Sequence, residues 1–84
     1  MTRRLVLYGR PDCHLCDEAR VIAQQLVRDA GDVELVEVDI ETDAGLLRRM
    51  LERIPVLELD GRIVGELEPD ASALRAALLH TSAR

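Results

Sequence analysis

The sequence predicts an α/β fold: a four-stranded mixed sheet with helices on both faces, in the order β-α-β-α-β-β-α. Three observations point there. From His14 to Ala30 the apolar residues Leu15, Ala19, Ile22 and Leu26 recur at steps of three and four, the period of an amphipathic helix. Apolar, β-branched runs stand on either side of it, at 4–9 and 33–40, as buried strands do. Segment 54–67 then holds two further runs joined through Asp60-Gly61, a dipeptide favoured in tight hairpin turns.

Taken in order, "RLVLYG" is a short strand ended by Gly9-Arg10-Pro11, residues that punctuate regular structure. In the long helix Ala23 and Val27 widen the apolar stripe, and Gly31 supplies the stop. "VELVEVDI" is the second strand. Leu35 and Val36 are adjacent in it, so its alternation is imperfect and cover on both faces is expected. "ETDAGLLRRMLER", 41–53, opens with the capping residues Thr42 and Asp43 and reads as a short helix weakened by Gly45. After the hairpin, "PDASALRAALLH" places Pro69 at a helix start with Ala71, Leu74 and Leu78 on one face. The first two strands flank a helical crossover, which makes them parallel and right-handed. The chain, 1–84, is one domain with a frayed tail at 81–84, and its 84 residues suffice to bury roughly 60 to 65% of the surface the unfolded chain exposes.

Composition removes several functions. Formal net charge is −5, all 11 basic residues are arginine, and Tyr8 is the only aromatic. A nucleic-acid binder needs a positive footprint that this chain lacks. No segment approaches the ~20 apolar residues of a membrane span, and "LVLY" after Arg3 and Arg4 is far short of the apolar core of a signal peptide, about 7 to 15 residues. A cytoplasmic protein, monomeric and apart from nucleic acid and membrane, is expected. Structural disulfides are rare in that compartment.

Against that background the two cysteines, Cys13 and Cys16 in "YGRPDCHLCDEAR", stand out. Such a pair is a redox couple, half of a metal site, or two small core residues. Zinc takes four ligands. The histidines are His14, beside Cys13, and His80, in the terminal helix, so no metal site is expected within one chain. A cluster bridging two chains and a redox-inactive adaptor are the competing readings.

A strand, then "CHLC" opening a helix, then a βα unit, then "IPV" entering a hairpin resembles the glutaredoxin-like branch of the thioredoxin fold. The likeness runs from Leu5 to about Leu79, and is nearest to short glutaredoxin-like proteins whose "VDI" and "RIPVL" segments match residues 38–40 and 53–57. It implies a thiol–disulfide oxidoreductase of cell redox homeostasis, with Cys13 as nucleophile, Cys16 as resolving cysteine and a redox-active disulfide between them. A free cysteine of pKa ~8.5 is mostly un-ionised at neutral pH, and a helix N-terminus can bring it to the range ~3.5 to 7.5. The resemblance also implies a cis peptide between Ile54 and Pro55, facing the cysteines, with the backbone of Ile54 turned out to offer its N–H and C=O to an extended substrate. Gly65 corresponds to the first of two family glycines that cradle glutathione.

The second of those glycines is Glu66 here, with Glu68 and Asp70 following, and the added carboxylate is expected to repel the γ-glutamyl carboxylate. Arg48, Arg49 and Arg53 are candidates to pair with a carboxylate of glutathione. Arg10 favours the Cys13 thiolate or holds a substrate carboxylate, or else is a solvated loop residue. His14 is read as a solvent-facing bystander or a tuner of Cys13, Asp12 as a turn or capping residue, and Tyr8 as strand-end packing. Expected partners are disulfide-bearing proteins or small molecules, with glutathione or a thioredoxin-reductase-type protein as electron donor and no bound cofactor.

Overall fold

The computed structural model describes residues 2–82, and side chains over residues 2–79. In chain order the elements are β1 (Arg3–Gly9), α1 (His14–Ala30), β2 (Val33–Asp39), α2 (Ala44–Met50), the hairpin strands β3 (Val56–Leu59) and β4 (Arg62–Glu66), and α3 (Ala71–Ser82). The sheet order is β2-β1-β3-β4. β1 and β2 run parallel, while β3 is antiparallel to both β1 and β4. The expected order and mixed sheet are both found.

Residue alternation along β1 divides the core in two. Leu5 and Leu7 point to the face covered by α1 and α3, where they meet Leu57, Leu59, Ala19, Ala23, Leu26, Leu74 and Leu78. The bare methyls of Ala19 and Ala23 let α1 lie close on the strands, and each buried leucine contributes ~1.5–3 kcal/mol over its exposed state. On the opposite face Ile40, Met50, Ile54 and Val56 form a second cluster together with Cys16, against which Tyr8, Cys13, Leu46 and Leu47 pack. That cluster lies at the C-terminal end of β1, directly beneath the cysteines.

The structure revises several boundaries. The helix expected over 41–53 is a 3-10 turn, Ile40–Thr42, followed by the shorter α2. Asp43 accepts from the Gly45 N–H at 2.9 Å and so starts α2 late. The Met50 carbonyl accepts from both the Arg53 and the Ile54 N–H, at 2.8 and 3.0 Å, which closes the helix before Pro55, as the restriction on residues preceding proline demands. Because α2 is short it covers only the strand ends. Val36 is therefore half-buried on an edge strand, not covered on both faces as its sequence suggested.

Pro69 lies outside α3, since Asp70 takes the cap, its carboxylate accepting from the Ser72 N–H at 2.9 Å. Thr81 and Ser82, expected in a frayed tail, are the last residues of α3; Ala83 and Arg84 lie outside the described residues, as does the side chain of His80. At the other end of α1, Gly31 adopts φ 81° and donates its N–H to Val27. Glycine takes that left-handed geometry without steric cost.

Candidate active site

β1 delivers the chain to the site and a three-residue turn sets up the first cysteine. Asp12 sits in the left-handed region at φ 59°, a conformation that Asp tolerates better than most residues. Cys13 follows in an extended conformation as the N-cap of α1. The cap acceptor is therefore the cysteine, while Asp12 forms the turn. The Cys13 Sγ accepts from the Cys16 N–H at 3.2 Å, and the Cys13 carbonyl accepts from the Asp17 N–H at 3.0 Å.

Cys13 and Cys16 are joined as a disulfide, their Cα atoms 5.2 Å apart. The two sulfurs live in different surroundings. Cys16 is 1% exposed and lies against Gly9, whose missing side chain makes room for it: a Cβ built there would be 3.1 Å from the Cys16 Sγ. Cys13 is only half-buried. Of the two, Cys13 is the more exposed residue, and it stands at the helix N-terminus, where unpaired N–H groups and the helix dipole favour negative charge.

Ile54 and Pro55 are joined by a cis peptide and both are buried. The Ile54 side chain belongs to the same buried cluster as Cys16, against which Cys13 packs. The backbone of Ile54 differs from expectation. Its N–H is already taken by the Met50 carbonyl, because a helix end leaves carbonyls that need donors. Among the described residues its own C=O has no partner, so Ile54 offers an acceptor and no donor.

The corner is fastened to the end of β4. The Leu67 N–H donates to the Arg53 and Pro55 carbonyls at 3.1 and 3.0 Å, and the Arg53 guanidinium donates to the Glu66 carboxylate. Arg53 is thus engaged, and the Glu66 carboxylate, expected to act as a bare repelling charge, shares it. That bond with Glu66, followed by the carboxylate's charge, raises the pKa of Arg53. Leu67 itself is at φ 60°, a region that costs an ordinary side chain about 1–2 kcal/mol.

Other candidates separate. Arg10 pairs with Glu41 at 2.8 Å, tying the loop before Cys13 to the 3-10 turn. His14 is 86% exposed on its side chain and its Nε2 lies 2.7 Å from Glu18, one turn further along α1. Gly65 pairs with Leu57 across the hairpin. The space a Cβ would occupy there is bounded by Leu74 and Pro69, at 3.4 and 3.6 Å, which gives the bare Cα a packing role beneath α3. The Tyr8 hydroxyl donates to Glu58 at 3.2 Å; burial first, then the Glu58 charge and that bond, raise its pKa. Gly9 and Leu67 were not singled out by sequence. Gly9 reads only as a strand stop, and nothing in "ELEP" signals a left-handed leucine.

A cleft of about 270 Å³ opens at the C-terminal ends of β1 and β2, bounded by Gly9, Arg10, Cys16, Arg20 and Asp39. Such strand ends are where open α/β sheets bind ligands. Arg20 is held there by Glu37 and Asp17. Among the described residues no three His, Cys, Asp or Glu side chains gather as a metal site would require, and no helix is long and apolar enough to cross a membrane.

Several solved structures are similar to this chain. Protein XcR50 from X. campestris is 38% identical, with TM-score 0.70 over 90% of this chain and 96% of that one. Protein Ne2328 from Nitrosomonas europaea is 29% identical, with TM-score 0.77 over 92% of each. Mitochondrial thioredoxin 3 from Saccharomyces cerevisiae, in its oxidized form, is 17% identical, with TM-score 0.71 over 93% of this chain and 77% of that one; at that identity the likeness establishes the thioredoxin-like fold alone. No curated protein matches the sequence. The profile of the glutaredoxin-like domain (DUF836) matches residues 4–79, and with the CxxC pair in disulfide contact at the head of α1, the chain belongs to that glutaredoxin-like family.

Proposed function

We propose that this protein is a dithiol thiol–disulfide oxidoreductase. The Cys13 thiolate attacks one sulfur of a substrate disulfide, forming a mixed disulfide and releasing the other sulfur as a thiolate. The Cys16 thiolate then attacks the Cys13 Sγ, forming the Cys13–Cys16 disulfide and releasing the second substrate thiolate. The substrate gains two electrons and the protein dithiol loses them. The observation that carries this reading is the asymmetry of the pair: a half-buried Cys13 whose Sγ caps α1, and a Cys16 that is 1% exposed and packed against Gly9.

Substrates are disulfide-bearing proteins or small molecules, and no bound cofactor takes part. The donor that restores the dithiol is glutathione or a thioredoxin-reductase-type protein. The Arg53–Glu66 bond favours the latter, because it takes the arginine next to the cis-Pro corner that a glutathione carboxylate would use. The protein acts in the cytoplasm, where a reducing thiol pool supplies the electrons, as a monomer and without nucleic acid or membrane.

Single-cysteine variants test the roles. Cys16→Ser should accumulate mixed disulfides and Cys13→Ser should lose exchange altogether; equal residual activity in the two would overturn the assignment. Turnover with glutathione and its reductase, set beside turnover with thioredoxin reductase, identifies the donor.

A further inference from the structure

A second groove, of about 310 Å³, lies between α1 and the connection from β4 to α3, and Leu15, the residue before Cys16, is part of its lining. Its floor is apolar, formed by Leu15, Ala19, Ile22 and Pro69, and its rim carries two carboxylates, Glu18 and Glu68. Glu18 is shared with His14. Among the described residues nothing pairs with Glu68. Two large apolar side chains are exposed in the same stretches of chain: Leu15, between the cysteines in sequence, is 39% exposed, and Leu67, the residue before Glu68, is 49% exposed.

Leu67 also sits in the left-handed backbone region. A bulky apolar residue held both strained and in water suggests a purpose beyond folding. An apolar trough ending in negative charge fits the aliphatic stem and cationic head of a lysine or arginine. The chain's net charge of −5 draws a partner of the same kind.

We infer that this groove docks a lysine or arginine side chain flanking the disulfide of a protein substrate. The inference rests on the exchange reading above and adds a substrate class to it: disulfides set in basic segments. Glu68 is the principal recognition residue, with Glu18 secondary because His14 competes for it. Leu15 and Leu67 contact the apolar part of the docked chain.

The test uses synthetic peptides, each with one disulfide-activated cysteine and with lysine, glutamine or glutamate at each of three positions on either side of it. Rates of reaction with the reduced protein are compared within each peptide set, and an uncharged small disulfide serves as reference for the unaltered protein. At low salt a lysine peptide should react about two- to five-fold faster than its glutamine counterpart at one or two positions, the range of an exposed ion pair. The preference should shrink at ~1 M salt, where screening is nearly complete. In Glu68→Gln the lysine-to-glutamine rate ratio should fall towards one, and in Glu68→Lys the glutamate peptide should become the faster. Equal rates across the three peptides, with the small disulfide still reduced, overturn the docking inference alone. Persistence of the ratio in Glu68→Gln also overturns it. Failure to react with peptides and small disulfide alike overturns the exchange reading and the inference with it.

Discussion

Gly9 at the end of β1 and Cys16 in the first turn of α1 touch: a Cβ added at Gly9 would lie 3.1 Å from the Cys16 Sγ and 3.3 Å from its Cβ. Strand and helix therefore meet where the strand carries no side chain, and the Cys16 sulfur lies where a Cβ on residue 9 would crowd it. Gly9→Ala should cost stability, since overpacking of a tight site costs about 1–3 kcal/mol while removing a strand glycine returns roughly 0.5–1 kcal/mol. It should also slow release of the mixed disulfide, because the Cys16 Sγ must give way by a few tenths of an ångström. Urea titration and the lifetime of the trapped intermediate check both effects, and a variant matching the parent in each would show that the contact does not matter.

Cys13 has a structural duty apart from chemistry. Its sulfur accepts from the Cys16 N–H at 3.2 Å, occupying the place of the oxygen that usually caps a helix. With Cys16→Ala as a common background, so that no disulfide forms, Cys13→Ser should be more stable than Cys13→Ala by about 0.5–2 kcal/mol, the usual worth of a cap. Denaturant melts of the two give the difference directly. If serine and alanine are equivalent, the capping contact contributes nothing.

Elements whose signals are local were legible in the sequence. The stripe from Leu15 through Leu26 placed α1, Gly31 its end, and Asp60-Gly61 the hairpin, because helix period and turn chemistry depend on near neighbours. The cis Ile54–Pro55 bond came only through family resemblance. What escaped depends on contacts far apart in the chain. The break of 41–53 follows from the Met50 carbonyl collecting two N–H donors as the chain turns to Pro55, and the engagement of Arg53 follows from β4 bringing Glu66 alongside. Gly9 is one residue among several that end strands, and its purpose appears only when α1 is laid across it.

Asp32 should make the fold acid-sensitive. Arg3 holds it from two nitrogens, Nε to Oδ2 at 3.2 Å and Nη2 to Oδ1 at 3.0 Å. Those bonds, more than the charge, lower its pKa below the ordinary aspartate value. A carboxyl that ionises more readily when folded adds stability above its unfolded pKa and loses it as pH falls through the folded one. Asp32→Asn should therefore be less stable than the parent at neutral pH, with the gap closing at and below the ordinary aspartate range. Melts at descending pH measure it; a gap that persists unchanged into strong acid would rule out ionisation of Asp32 as its source.

Tyr8 offers the converse case at high pH, with an unusually clean readout. It is the only aromatic residue, the sequence having no Trp and no Phe, so ultraviolet absorbance during an alkaline titration reports one phenol. Burial raises its pKa first, then the Glu58 charge and the hydrogen bond to Glu58, while the Arg49 charge pulls it down. The native midpoint should lie above the ordinary ~10. In Glu58→Gln it should move down but stay above the unfolded value, because burial remains; in Arg49→Gln it should move up. Since the folded phenol holds its proton more tightly, stability is intact below about pH 10 and declines as pH rises from there through the folded value. Tyr8→Phe should remove that decline. Coincident midpoints for the parent and Glu58→Gln would mean that the carboxylate on β3 does not act on Tyr8, and that the second-face cluster beneath the cysteines holds the ring by packing alone.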